Sequence, residues 1–251
     1  MRDAMVGVIV GVAVFVAGLF FACAAQAASE ARPALVVIVD ASTEMPWAQL
    51  QNKQVAAGLH HDLGHALAMQ LGRDARFLVL PRKRIAGALE QNEGDIVCAM
   101  LPKWFAGPFD WSAPLLPDSE VILSLRSAAR PLNLTALRGL PIGTVNGFAY
   151  PDLEQALGSD FVREDAPNAG ANLRKLNLGR MQYAVVNQRY LEYQRRQGAV
   201  KVDLHPDFLL SRYVMPCALS RRSSIKLKEL DQAIFQLESS GALSRMLDAY
   251  R

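Results

Sequence analysis

The sequence predicts an α/β protein whose sheets are mostly parallel and flanked by helices. Two observations carry this. Between Leu35 and Met100, apolar runs alternate with helical patterns as β-α-β-α-β, and from Pro141 to Gln197 a second alternation follows. Parallel strands need such crossovers, and the crossovers place helices on the sheet faces.

In the first series, Leu35–Asp40 (LVVIVD) is rich in β-branched residues and reads as a strand. A loop is expected over Ala41–Gln54. Leu59, Leu63, Ala66 and Leu67 recur at helical spacing, and Gly72 is a natural stop. Phe77–Leu80 reads as the second strand, Pro81 opens a helix through Leu89, and Asp95–Met100 is the third strand. Glu120–Leu125 reads as a further strand, followed by a small-residue break at Ser127–Pro131.

In the second series, Leu134–Gly139 is a short helix and Pro141–Val145 a strand. Pro151 suits the first position of a helix through Leu157. Phe161–Glu164 and Tyr183–Val186 read as strands, and Ala171–Leu178 and Gln188–Gln197 as helices. Arg212–Leu219 reads as one strand, and amphipathic helices at Lys226–Ser239 and Ala242–Tyr250 close the chain.

With 251 residues the chain is long enough for one large domain or two small ones. A net charge of +3, without a basic stripe carrying interleaved aromatics, gives no footprint for nucleic acid. No HExxH, GxSxG, CxxC or phosphate-loop motif is present, and no cofactor is called for. His61 and His65 have the i, i+4 spacing of metal ligands, but nothing fixes a third ligand on their face, so no metal is expected.

The N-terminal segment reads as a targeting sequence. Arg2, the apolar run Val6–Ala22 and the small-x-small site Ala25-Gln26-Ala27 form the pattern of a cleaved secretory signal over residues 1–27. An uncleaved membrane anchor and a lipid-modified Cys23 are the alternatives. Export to an oxidising compartment leaves Cys98 and Cys217 in the mature chain, each in an apolar strand-like run. They are either a disulfide between neighbouring strands or two buried thiols.

The stretch Gly94–Pro114 (GDIVCAMLPKWFAGPFDWSAP) stands out. A buried strand ends at Pro102 in a loop carrying Lys103, Trp104, Phe105, Phe109 and Trp111. Ligands of open α/β sheets bind beyond the carboxyl ends of strands, and aromatic faces with one fixed charge suit a small-molecule site. The same aromatics could instead cap the core. Arg82-Lys83-Arg84 opens a helix on that sheet edge, where the macrodipole disfavours cations, so a bound anion or simple solvation would account for them. Asn146-Gly147, ahead of the Pro151 helix, would offer backbone N–H groups to an anion.

From Ala34 to Tyr250 the sequence resembles the bacterial extracellular solute-binding proteins of family 3, the polar amino-acid-binding group served by ABC transporters. Met45-Pro46-Trp47 stands where that family has a Pro-aromatic pair. Gly58–Leu63 is similar to its Gly-Phe-x-x-Asp-Leu helix start. Leu89–Asp95 keeps the spacing of its Leu-x-x-Gly-x-x-Asp bend, with Asn92 at the Gly position. Asp110–Pro114 resembles its Phe-Ser-x-Pro segment, and Leu137-Arg138-Gly139 through Gly143–Gly147 its entry into a second lobe.

The resemblance implies a two-lobed periplasmic-binding-protein fold of type II. Lobe 1 would be residues 34–124 plus 213–251 and lobe 2 residues 128–209, hinged near 124–128 and 209–213. It implies a monomeric periplasmic protein that closes on a ligand and serves an ABC permease or a membrane sensor. It also implies a dehydratase-like enzyme as an alternative, with Glu44 as its carboxylate. The family's carboxylate-binding Arg falls here on Phe105, and its ammonium-binding Asp on Asn187. Without these two charges, the expected ligand is anionic or aromatic and bound by Trp47, Arg82, Lys103, Trp104, Asn146, Tyr150 and Asn187.

Overall fold

The computed structural model describes residues 32–250; the expected signal segment and Cys23 lie outside them. The chain opens with strand β1 (Ala34–Asp40) and a hairpin, β2 (Gln49–Gln51) and β3 (Gln54–Ala57). Helix α1 (Leu59–Gln70), β4 (Asp74–Leu80), α2 (Arg82–Glu90) and β5 (Ile96–Cys98) follow. A 3₁₀ turn (Pro102–Trp104) leads to the short β6 (Asp110–Trp111). The second series is β7 (Leu116–Ser124), β8 (Pro141–Val145), α3 (Pro151–Leu157), β9 (Val162–Ala166), α4 (Ala169–Asn177), β10 (Tyr183–Asn187), α5 (Gln188–Arg196) and β11 (Phe208–Met215). Then come β12 (Cys217–Leu219), α6 (Leu227–Ser239) and α7 (Ala242–Ala249).

Two five-stranded sheets result, in the orders β4-β1-β5-β12-β6 and β11-β7-β10-β8-β9. β1 runs parallel to β4 from Ala34↔Asp74 to Asp40↔Leu80 and parallel to β5. β8 runs parallel to β9 and β10. The strands that join the halves are antiparallel to their neighbours.

Strand alternation explains how each sheet is covered. Leu35, Val37 and Val39 of β1 face Leu59, Leu63 and Leu67 of α1 and Leu230 and Ile234 of α6. Ile38 points the other way, onto Ile85 and Leu89 of α2. In the second sheet, Val121 and Leu123 of β7 face Leu176, Tyr190 and Leu191 of α4 and α5, while Ile122 faces Leu153 and Leu157 of α3. Successive side chains of a strand point to opposite faces, so each buried strand feeds two helical layers.

Two expectations change. The loop expected over Ala41–Gln54 contains the β2–β3 hairpin, turned by Asn52 and Lys53, both with positive φ. The single strand expected over Arg212–Leu219 is two strands broken at Pro216, which has no N–H to donate. β11 belongs to the second sheet and β12 to the first.

The chain therefore passes between the sheets twice, between Trp111 and Leu116 and at Pro216. The two crossings run side by side: Ser112 N–H donates to the Cys217 carbonyl (3.0 Å) and Leu115 N–H to the Met215 carbonyl (3.1 Å). Cys217 N–H also donates to Ser112 Oγ (2.9 Å). These crossings lie at the near ends of β7 and β11, away from residues 124–128 and 209–213.

β12 is fixed beside β5 in register Cys217↔Cys98, and the two cysteines form a disulfide (S–S 1.93 Å) across 119 residues. Asp95 adds to the same junction. Its carboxylate accepts from Val36 N–H (2.8 Å) and Ser223 Oγ (2.6 Å), so one buried side chain ties the β1 and β12 ends together. A crosslink closing so long a loop restricts the unfolded chain strongly. Cys98→Ser/Cys217→Ser is expected to lower unfolding free energy by about 2–4 kcal/mol, read by urea denaturation. A thiol assay on the denatured, unreduced mature protein is expected to find none.

Candidate ligand-binding site

The carboxyl ends of β1, β5, β8 and β10 converge on one cavity of about 120 Å³ between the two sheets. β1 contributes Asp40 and β5 leads to Met100. β8 ends at Val145, and β10 contributes Asn187. Glu120 of β7 and Met215 of β11 come from the strands next to the crossings.

The wall from the first sheet is built by a turn after β1. Trp47 and Ala48 N–H groups donate to the Glu44 carbonyl, and α1 begins hard against this turn: Leu59 and His60 N–H groups donate to the Pro46 and Trp47 carbonyls. Gly58 allows the approach. It has φ +107°, and a Cβ there would lie 2.6 Å from Ala48 Cα. His60, tilted against the Trp47 ring at 5.5 Å, lines the cavity with its pKa pushed down to about 4 by desolvation, so it is neutral.

Of the expected site residues, Trp47, Arg82, Trp104, Tyr150 and Asn187 line this cavity, and Lys103 and Asn146 do not. The Lys103 ammonium bonds to both Asp152 carboxylate oxygens (2.8 and 3.0 Å) at the start of α3. Asn146 N–H donates to the Ala166 carbonyl (2.9 Å). Asn187 Nδ2 donates to the Tyr213 hydroxyl (2.8 Å). Tyr150 is buried, its oxygen accepting from Val145 N–H and its ring 5.2 Å from the Arg163 guanidinium. His61 and His65 pack on Phe77 instead. Among the described residues, no group of three or more metal-binding side chains is assembled.

Arg82 explains why a cation tolerates the N-terminus of α2. Its guanidinium stands 3.9 Å from Asp40, 4.9 Å from the Phe148 ring centroid and 5.8 Å from that of Phe105. Burial pulls its pKa down, and Asp40 is the main influence restoring it. Gly147, at φ +80°, brings the loop after β8 against it; a Cβ there would sit 3.3 Å from Arg82 Cγ. Lys83 and Arg84 are exposed. The expected cluster of cations around an anion is therefore absent from the cavity: one cation reaches it and is already paired.

Two acids, Asp40 and Glu120, are what the sequence reading missed; Glu44 it had considered. Asp40 Oδ1 accepts from the Ser42 N–H and hydroxyl (2.8 Å each), while buried Oδ2 has no hydrogen bond. Glu120 is buried, opposite Asn187 and Ser211 in the sheet, and its carboxyl has no hydrogen-bond partner among the described residues. Desolvation, then Asp152, raises its pKa to about 8, with Lys103 opposing. Glu44 Oε2 accepts from Gly170 N–H (2.7 Å) at the start of α4, and burial raises its pKa. An acidic residue ending a buried strand was a legible signal for Asp40. Glu120 gave less: it opens the expected strand Glu120–Leu125, where an acid reads as a solvated end, but β7 begins earlier, at Leu116, and buries it.

The two halves touch across the cleft through Lys103–Asp152, Arg82–Phe148, Arg82–Gly147 and Glu44–Gly170.

This architecture is that of known proteins. An ancestral arginine-binding protein bound to arginine superposes with a TM-score of 0.72 at 18% identity, over 87% of this chain and 98% of that one. A histidine kinase sensor domain with similarity to periplasmic binding proteins gives 0.71 at 19%, over 87% and 96%. An ancestral amino-acid-binding protein, a precursor of cyclohexadienyl dehydratase, gives 0.70 at 17%, over 86% and 95%. The chain has the two-lobed fold of the family 3 solute-binding proteins. No protein-family profile matches it, and no curated protein matches it in sequence. In that fold the two sheets are the cores of the two lobes and the cavity is the interlobe cleft.

Glu120 also makes stability depend on pH. A carboxyl whose folded pKa (about 8) lies above its ordinary value (4.5) is bound to its proton more tightly in the folded state. Stability is then greatest below about pH 4.5 and is lost as pH rises towards 8. Asp118, raised to about 6, adds the same sign over a shorter range. Glu120→Gln is expected to remove on the order of 3 kcal/mol of the loss between pH 5 and pH 8, measured by denaturant unfolding at both pH values.

Proposed function

We propose that this protein is an exported solute-binding protein that closes its lobes on a small polar ligand and presents it to a membrane partner, an ABC permease in the first instance. The observation that carries this reading is the enclosed cavity at the strand ends of both sheets, with both lobes supplying its walls. The paired crossings at 112–115 and 216 act as the hinge, because few residues there need to change conformation for the lobes to swing. A signal segment over residues 1–27 and the disulfide both suit an extracytoplasmic site.

Lobe closure, rather than chemistry, is the assigned role. Glu44, the carboxylate considered for a dehydratase, is held by the α4 N-terminus and supports the contact between lobes. Presentation to a membrane sensor is the second reading, favoured by the likeness to a kinase sensor domain, and it uses the same cleft.

A screen of amino acids, amines and small organic acids by thermal shift, followed by titration calorimetry, tests binding. A ligand returned chemically unchanged, a smaller radius of gyration on binding by X-ray scattering, and loss of binding on Trp104→Ala are the expected results. We expect this substitution to weaken binding by about 10-fold or more, as for a buried aromatic anchor. A ligand converted to product would overturn the assignment in favour of an enzyme.

A further inference from the structure

We propose that the cleft selects a small organic cation, an amine or guanidinium without a carboxylate, with Asp40 and Glu120 as its counter-charges. The proposal rests on the binding-protein reading above and names its ligand class.

The argument is a balance of donors and acceptors. The cations and the helix α4 donors at the cavity are engaged within the protein. Arg82 is paired with Asp40 and covered by Phe148. At the N-terminus of α4, Gly170 N–H is held by Glu44 and Ala171 N–H by Asn168 Oδ1. Lys103 is bound to Asp152, and Arg163 to Asp165 and to the Val145 and Phe148 carbonyls. An incoming carboxylate would have to break one of these pairs.

The acceptors are less fully used. Asp40 is 6% exposed and Glu120 7%, and both line the cavity; buried Asp40 Oδ2 has no hydrogen bond and stands 3.9 Å from Arg82, while Glu120 makes no hydrogen bond or ion pair with another described residue. Buried polar groups in folded proteins are normally satisfied, and a buried carboxyl is costly unless paired. A cation in the cavity would give Glu120 a counter-charge and Asp40 a closer partner than Arg82. The indole N–H groups of Trp47 and Trp104 are buried, unpartnered and neutral. Both rings line the cavity, and indole faces attract cations.

A second consequence follows from the surroundings of Glu120. Asp118 on its own strand, Asp152 and Tyr150 at the start of α3, and Tyr213 on β11 all disfavour or fail to neutralise its charge, and Lys103 alone opposes them. These surroundings keep Glu120 protonated near neutral pH unless a cation stands beside it. A bound cation favours the carboxylate, so binding expels the proton to solvent, while the ligand amine stays charged.

Titration calorimetry of the purified protein with agmatine, cadaverine, arginine and glutamate tests this. Agmatine or cadaverine is expected to bind about 10-fold or more tighter than arginine, and glutamate least. At pH 7, heats measured in buffers of different ionisation enthalpy are expected to report release of nearly one proton, and affinity to rise roughly 10-fold per unit between pH 6 and 7. Glu120→Gln is expected to weaken the amine by about 30-fold or more and to abolish proton release. Asp40→Asn is expected to weaken it without abolishing release. Arginine or glutamate binding while both amines fail would overturn the cation assignment and leave the solute-binding reading standing. Amine binding without proton release would overturn the role of Glu120. Failure of all four would overturn the cation assignment, while a positive screen with another solute class would still uphold the wider function.

Discussion

The structure depends on β12 taking its place between β5 and β6. Only three residues long, it is the point at which the chain, after building the whole second lobe, returns to the first. Short non-local pairing of this kind is expensive in loop entropy. It is held by more than its ladder: the Cys98–Cys217 disulfide, the Asp95 carboxylate reaching Val36 and Ser223, and Ser112 bonding to Cys217. All of these sit at the root of the cleft. The edges of the cavity are positioned because its base, Cys98 to Met100 on one side and Met215 on the other, cannot move apart.

That rigidity explains how unsatisfied groups persist around the cavity. Asp40, Glu120 and the two indoles are set by strands and turns whose own backbone bonds are complete. Stability given up at such places is a common property of binding sites, where the missing partner is the ligand.

Much of this was legible in sequence, and the omissions have physical causes. Strong strands such as Leu35–Asp40 and Tyr183–Val186, and helices with clean apolar spacing, were placed because local pattern and tertiary burial agree there. The break at Pro216 was visible as a residue type, but the apolar run around it continues smoothly through Val214, Met215, Cys217 and Ala218 while the chain changes sheets. Periodicity cannot show which sheet a residue joins. Trp104 was placed at the cleft because it follows a strand end, and Trp47 and Asn187 because the family resemblance puts site residues at their positions. The pairing of the charges around the cleft was not legible for a different reason. Local sequence displays clusters of cations such as Arg82-Lys83-Arg84 but not their pairing, and Lys103 meets Asp152 across 49 residues. Glu120 and Asp40 belong to no cluster and gain significance only from burial.

The contacts that span the lobes bear on how such a cleft could open. Lys103–Asp152 is exposed on both partners (42% and 32%), and pairs of that kind contribute about 0–1 kcal/mol. Arg82 over Phe148 contributes of similar order, about 0.5–2 kcal/mol. The Glu44 bond to Gly170 is charge-assisted, yet burial raises the Glu44 pKa, so part of its strength is offset by desolvation. Each of these contacts is worth a few kcal/mol or less, which is the scale on which a ligand's differential affinity for two conformations acts. A ligand that supplies the missing partner of Asp40 or Glu120 contributes in the closed form what neither residue obtains in an open one. The same unsatisfied carboxyls that reduce the stability of the empty protein would thereby favour closure on the ligand.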